Sequence, residues 1–159
     1  MMHYQVQQKN GQLADVQFAR PAHRIIALHG NKSLKLSSLG IDASNQTEGH
    51  RFLAPGIVTI TFADQYEADL EAKAKVIPSF NKRRTKIEAA LLKAAGDDLV
   101  LMPDSLLDEV TALVEWPAIY ECHFDQEFLE VPQECLILTM QTNQKYFALT
   151  DKQGKLRNR

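Results

Sequence analysis

The chain has 159 residues, of which 45% are hydrophobic and 24% charged, and its formal net charge is −2. No apolar run approaches the roughly 20 residues that cross a bilayer, and the start MMHYQVQQKNG lacks the order of a signal peptide. We therefore expect a cytoplasmic protein with no membrane partner. A free-standing nucleic-acid binder usually has a basic excess, so any RNA contact needs a local basic patch or basic partners.

Residues 16–62 are predicted to be rich in strands. Short β-branched or alternating runs separated by turn-forming residues support this: VQFARP, RIIALHG, SLKLSSLG and GIVTITF. Asn31-Lys32 after Gly30 predicts a hairpin turn, and 42–46 is polar enough for a loop or an edge strand.

The next stretch is predicted to be helical. Asp64 is expected to cap a helix through Ala74. The spacing places three residues of this helix on one face: Tyr66, Leu70 and Ala74. A second helix is expected from Pro78, in its first turn, to a stop at Gly96. Its apolar stripe is predicted to contain Phe80, Ile87, Leu91 and Ala94.

A third helix is expected after Pro103, capped by Asp104 or Ser105, and ending before Pro117. Its predicted inward residues are Leu107, Val110, Leu113 and Val114. Residues 118–124 alternate like a strand. The segment 131–140 fits a strand or a short helix, and a helix is favoured because Pro132 can open it with Glu134 in the first turn.

Residues 145–159 predict a hairpin around Lys152-Gln153-Gly154 with a shortened second arm. The fold class is therefore predicted to be mixed α/β (α+β). We expect one domain over residues 1–159. It could be subdivided into a β-rich segment over residues 1–62, a segment of three helices over residues 63–117, and a mixed segment over residues 118–159.

Catalytic and metal-binding patterns find little support in the sequence. His23 and His29 would share a face of an unbroken strand, but a metal needs a third ligand and no HxH or HExxH spacing occurs. Cys122 and Cys135 lack zinc-site spacing and are expected to be reduced, structural thiols. With no GxSxG, P-loop or GxGxxG, we expect no catalytic residue and no metal.

Two clusters could contact RNA. His50-Arg51-Phe52 after Gly49 could bind a phosphate and stack on a base; the alternative is a glycine-permitted turn, with Arg51 paired to a carboxylate and Phe52 in the core. The basic run Lys82-Arg83-Arg84 with Lys86 could follow an RNA backbone, although such a helix face is usually only solvated.

Several segments, in order and spacing, resemble the beta subunit of bacterial heterotetrameric glycyl-tRNA synthetases: FARPAHR, LGI, EGHRF, KVIPSFNKRRTKI, LLDEVTALVEWP and VPQECLILTMQTNQKYF. Two positions depart from the family. Glu48 replaces a common arginine and could pair with Arg51, and Gln141-Thr142-Asn143 stands where Lys-Gly-Asp is frequent.

The resemblance implies an internal, noncatalytic segment of an ATP-dependent ligase, inactive alone, that supports tRNA binding and assembly. ATP and Mg would be used by the separate alpha subunit, and this segment would bind no cofactor. The implied partners are the alpha subunit, the tRNA for glycine and the remaining domains of the beta subunit. A purely structural or subunit-interface domain and, more remotely, a hydrolytic editing domain are the alternatives.

The predicted tRNA contacts are two residues of the first cluster, His50 and Arg51, the four cations of the second, three further cations and one tyrosine. They are Arg20, Arg24, His50, Arg51, Lys82, Arg83, Arg84, Lys86, Lys145 and Tyr146.

Overall fold

The computed structural model describes residues 2–7, 10–18 and 22–159. The chain forms two compact units, Met1–Val76 (unit 1) and Ile77–Arg159 (unit 2). Short antiparallel strand pairs and helices occur together, which confirms the predicted α+β class. The predicted single domain over residues 1–159, and its possible subdivision after residues 62 and 117, stay predictions.

Among its described residues, unit 1 contains eight strands in four antiparallel pairs. They are β1 (Met2–Gln7) with β2 (Leu13–Phe18), β3 (Leu28–His29) with β4 (Lys32–Ser33), β5 (Ser37–Ser38) with β6 (Ile41–Asp42), and β7 (Gln46–Glu48) with β8 (Ile57–Thr59). The β-rich N-terminal region is therefore confirmed.

The strand predicted over 24–30 is shorter than expected. Only Leu28–His29 pairs in a hairpin, while Ile26 forms an isolated parallel bridge to Ser44. The turn of this hairpin is Gly30-Asn31, one residue earlier than predicted, because His29 pairs with Lys32. Gly30 has φ 60, a left-handed value that glycine adopts without steric cost.

The first predicted helix forms as three successive pieces. A 3-10 turn (Ala63–Gln65) leads into α1 (Tyr66–Asp69) and a π-helical turn (Leu70–Ala74), which ends at Lys75 with φ 54. The predicted Asp64 cap is wrong: the cap position is Phe62, without a side-chain hydrogen bond. Leu70 and Ala74 are buried with Val58 and Ile60 and form the core of unit 1, whereas Tyr66 is at the surface.

Unit 2 contains three α-helices of ten or more residues, a 3-10 turn and a strand pair among its described residues. These are α2 (Phe80–Ala95), β9 (Leu99–Leu101), α3 (Asp104–Leu113), a 3-10 turn (Gln126–Glu130), α4 (Gln133–Thr142) and β10 (Ala148–Thr150).

The second predicted helix is confirmed as α2, with two changes. Ser79 is its cap and accepts a hydrogen bond from the backbone of Lys82, so Pro78 lies just before the helix. The buried stripe is Ile87, Leu91 and Ala95, a spacing of four that keeps one face inward. Ala94 and Phe80, both predicted to be buried, are exposed instead.

The third predicted helix is confirmed as α3, and it packs on α2 through Leu107, Ile87 and Leu91. The predicted caps Asp104 and Ser105 are wrong, because the helix starts at Asp104 and Pro103 is in the cap position. Leu113 was predicted to face inward but is 50% exposed.

The C-terminal region of unit 2 contains the one strand prediction that fails outright. Residues 118–124 form no strand; β10 pairs instead with β9, which was not predicted. The extended segment is tied down locally, since the Phe124 backbone N–H donates to the Asn158 carbonyl at 3.1 Å. Helix α4 is confirmed, and the predicted hairpin is reduced to a bridge between Thr150 and Leu156.

Candidate nucleic-acid interface

The loop 49–56, called the hairpin loop below, joins β7 to β8 in unit 1. Its base is closed by a hydrogen bond from the Gly49 N–H to the Gly56 carbonyl at 3.1 Å. A side chain at Gly49 would not fit, since its Cβ would lie 2.2 Å from the Ala54 carbonyl oxygen and 3.2 Å from Ala74. Glycine is therefore required at this position by close packing and not by its φ.

His50 organises the turn that follows. Its Nδ1 accepts hydrogen bonds from the backbone N–H groups of Phe52 and Leu53, both at 3.2 Å. The backbone N–H of His50 donates to the Ala74 carbonyl at 2.7 Å, and the backbone carbonyl of His50 accepts from the Ala54 N–H at 3.0 Å. Because Nδ1 is an acceptor, the ring proton of the neutral imidazole is on Nε2.

The turn displays its middle residues to solvent. Arg51 is exposed, Phe52 is 82% exposed and Leu53 is 56% exposed. The alternative interpretation predicted that Phe52 is buried in the core and that Arg51 pairs with a carboxylate. The first point is wrong because Phe52 is exposed. The second is wrong for the described residues, among which Arg51 has no ion-pair partner. The remaining element of that interpretation, a turn that depends on glycine, is confirmed.

The carboxylate nearest to the loop in sequence is already paired. Glu48 accepts hydrogen bonds from Arg24 Nε at 3.0 Å and Nη2 at 2.9 Å. The predicted pairing of Glu48 with Arg51 is thus wrong, and Arg24 is partly neutralised. Among the residues that the structure describes, Arg51 therefore has no ion-pair partner at the loop tip.

A cavity of about 300 Å³ adjoins the end of the loop and is lined by residues 54–59 and Lys73. Lys73 forms an ion pair with Asp69 at 2.7 Å, so it is not an additional uncompensated charge beside the loop.

The two arginines of the basic run on α2 form hydrogen bonds and ion pairs with other residues of unit 2. Arg83 donates from Nε to the Thr111 carbonyl at 2.8 Å and from Nη1 to the Ile77 carbonyl. Arg84 contacts Asp108 and Asp104, each at 2.7 Å. The hydrogen bond with Asp108, reinforced by Asp104, raises the pKa of the Arg84 guanidinium.

Two of the remaining predicted contacts in unit 2 also have partners within that unit. Lys86 places its Nζ 4.2 Å from the centre of the Trp116 ring, and Lys145 pairs with Glu109 at 3.0 Å. Tyr146 is half exposed and Lys82 is exposed on α2. Arg20 lies outside the described residues.

Sequence reasoning missed an ion-pair network in unit 2. Asp98 contacts Arg159 at 2.7 Å and Arg157 at 3.3 Å, and Arg159 also contacts Glu121 at 2.7 Å. The hydrogen bond from Arg159, with a further one from Arg157, lowers the pKa of Asp98. No local motif joins these residues, because Arg159 and Asp98 are 61 positions apart.

An apolar cleft lies under the extended segment 118–124. Two adjoining cavities of about 420 and 410 Å³ share Cys122, Met140, Tyr146 and Arg159. The cleft is within unit 2, and the segment 118–124 itself contributes the largest share of its lining, together with residues of α2 and α4 and the stretch 144–147.

Within the ranges 2–7, 10–18 and 22–159, no group of three or more His, Cys, Asp or Glu side chains could hold a metal ion. His23 precedes β3 and His29 is within it, so the unbroken strand needed for a shared face does not form. In the described chain, no helix is long and apolar enough to span a membrane.

Comparison with known proteins identifies the family. The profile of the family described as "Glycyl-tRNA synthetase beta subunit" matches residues 1–159. The chain is 58% identical over 153 residues to the glycine–tRNA ligase beta subunit of Ralstonia nicotianae, covering 96% of this chain and 22% of that protein.

Two further relatives are also glycine–tRNA ligase beta subunits. One from Neisseria meningitidis serogroup C is 52% identical over 144 residues, and one from Methylobacillus flagellatus is 49% identical over 150 residues. These cover 89% and 92% of this chain, and 21% of each relative. The chain therefore spans about a fifth of the length of these relatives, and it belongs to the glycyl-tRNA synthetase beta subunit family.

Proposed function

We propose that the chain is a noncatalytic accessory segment of a glycine–tRNA ligase that supports tRNA binding and assembly. Activation of glycine with ATP and Mg is assigned to the separate alpha subunit, so this segment binds neither. The observation that carries the tRNA role is the hairpin loop, which holds Arg51 and Phe52 at the surface, while Glu48, the carboxylate nearest in sequence, is paired with Arg24.

We expect fewer of the predicted residues to contact tRNA than the sequence alone suggests. Arg51 remains the leading contact, with Phe52 beside it and His50 holding the turn. Arg83, Arg84, Lys86 and Lys145 have partners inside unit 2 and are weaker candidates, because binding a phosphate would require breaking those interactions.

A titration of the chain with labelled tRNA for glycine and with a noncognate tRNA, at low and physiological salt, tests this function. Saturable binding that weakens as salt rises is the expected result, because each phosphate contact releases counterions. Absence of binding even at low salt would overturn the tRNA role.

A structural or subunit-interface role is the second candidate function. For unit 2 it is favoured because Arg83 and Arg84 of α2 bind partners within the same unit. A surface that binds RNA keeps its cations available, whereas Arg83 and Arg84 connect α2 to α3. Sedimentation of the alpha subunit with a beta subunit carrying Tyr146→Ala or Leu138→Ala, both exposed in the wild-type chain, tests this role. Weakened assembly with unchanged tRNA affinity would favour the interface.

A further inference from the structure

We propose that the hairpin loop is a binding site for an unpaired RNA nucleotide, in which the Phe52 ring stacks on the base and the Arg51 guanidinium binds the neighbouring phosphate. The inference rests on the proposed tRNA role and specifies where unit 1 contacts RNA and which feature of RNA it recognises.

The aromatic ring is available for stacking. Phe52 is 82% exposed, and its only described ring neighbour, His50, is 6.3 Å away between centroids and tilted by 56°. The imidazole therefore does not cover the phenyl face. Every base has a π-face that an exposed ring can stack against, and duplex bases are already stacked on one another. The site accordingly selects an unpaired nucleotide.

The charge is next to the ring. Arg51 directly precedes Phe52, so the two Cα atoms are about 3.8 Å apart. Glu48 is paired with Arg24 and not with Arg51, and no carboxylate of the described residues forms an ion pair with Arg51. A guanidinium binds phosphate oxygens through two parallel hydrogen bonds, which fixes orientation as well as charge.

The turn is held in one conformation by hydrogen bonds within the chain, without bound RNA. Its backbone conformation is held by the two hydrogen bonds to His50 Nδ1, by the His50–Ala74 bond and by the closure between Gly49 and Gly56. A surface loop ordered in advance loses less conformational entropy on binding. His50 is thus a positioning residue, since its Nδ1 is used by the backbone.

The exposed Leu53 and Ile57 would also suit a protein partner. RNA is favoured because a cation without a described acidic partner adjoins the exposed ring. A protein partner is therefore one outcome of the test.

The first experiment measures affinity of the full chain for a short fluorescein-labelled single-stranded RNA and for a duplex of the same sequence. Phe52→Ala should weaken single-strand binding roughly five- to a hundredfold, whereas Phe52→Trp should retain it. Arg51→Ala should reduce the salt slope by roughly 0.7, the value for one phosphate contact on a single strand. Leu53→Ala, in the same turn, and Lys152→Ala, an exposed cation elsewhere, are the controls and should bind like the parent.

The second experiment tests the positioning role of His50. Asn carries an oxygen that can accept the same backbone N–H groups, as in an Asx-turn. We expect His50→Ala to lose RNA affinity and His50→Asn to recover most of it, with thermal unfolding measured on both variants. Equal affinity of these two variants would overturn this element of the inference.

The outcomes separate the two proposals. If the parent binds no RNA at low salt, the tRNA role fails and this inference fails with it. If the parent binds but Phe52→Ala and Arg51→Ala bind equally well, only the loop assignment is overturned. Loss of association with the alpha subunit in Phe52→Ala, at unchanged RNA affinity, would assign the loop to a protein partner instead.

Discussion

Arg83 donates a hydrogen bond from Nε to the backbone carbonyl of Thr111, 2.8 Å away, and so joins the first turns of α2 to the last turn of α3. A second donor of the same guanidinium reaches the Ile77 carbonyl. The residue at the centre of the most basic run in the chain therefore has its charge directed into unit 2.

Arg83→Ala should destabilise the chain by about 1–3 kcal/mol, because two part-buried carbonyls lose their charged donor. Urea unfolding monitored by circular dichroism measures this change. Lys93→Ala is the matched control: it removes an exposed cation from the same helix and should change stability by less than about 0.5 kcal/mol. Unchanged stability with weakened RNA binding in Arg83→Ala would restore Arg83 as an RNA contact.

Lys86→Met should remove the cation–π interaction with Trp116 while keeping the apolar stem of the side chain. The expected cost is about 0.5–1 kcal/mol. Trp116 is the only tryptophan of the chain, so its emission spectrum reports the local change directly. Lys93→Met should leave the spectrum as in the parent. An unchanged spectrum in Lys86→Met would show that the ammonium does not sit on the ring in solution.

The helices were predictable because each has a local signal. The periodicity around Ile87 and Leu91, and the stop at Gly96, are contained within a few turns of sequence. The strand predicted at 118–124 failed because alternation indicates only an extended chain. Whether such a chain pairs depends on distant partners, and here β10 is paired with β9, about 50 residues earlier.

The candidate site was predictable in its residue types but not in its electrostatics. Gly49, His50, Arg51 and Phe52 are contiguous, so a short motif identifies them. Which cations remain available to bind phosphate depends on ion pairs between residues distant in sequence. Arg24 pairs with Glu48, and Arg84 pairs with Asp108, each 24 positions away. A single sequence does not determine such pairings, and for this reason the basic run on α2 looked more available than it is.

Gly49→Ala should destabilise unit 1 and weaken RNA binding together. The added Cβ would lie 2.2 Å from the Ala54 carbonyl oxygen, which is backbone and cannot move without opening the turn. Overpacking of this kind costs about 1–3 kcal/mol. Thermal unfolding and RNA titration of the variant measure both effects. Gly154→Ala is the comparison variant. A Cβ at position 154 would meet no atom within 4 Å, so this variant tests only the cost of a positive φ. A Gly49→Ala variant as stable as the parent would contradict the close packing of the loop.

Asp98→Asn should remove an acid-sensitive contribution to the stability of unit 2. The Asp98 carboxylate is 9% exposed, and hydrogen bonds from Arg159 and Arg157 lower its pKa below the ordinary value of 3.8. A carboxyl whose pKa is depressed by folding stabilises the folded state above its unfolded pKa, and this contribution is lost as pH falls through the folded pKa.

The urea midpoints of the parent and of Asp98→Asn should therefore differ by a constant amount from about pH 8 to about pH 5, with the parent more stable. Below about pH 4 the two midpoints should converge, since the parent carboxylate becomes protonated. Asp97→Asn is the matched control, because Asp97 is the exposed neighbour of Asp98 and has no described ion-pair partner. A difference that persists undiminished to about pH 2 would mean that Asp98 acts through packing and not through its charge.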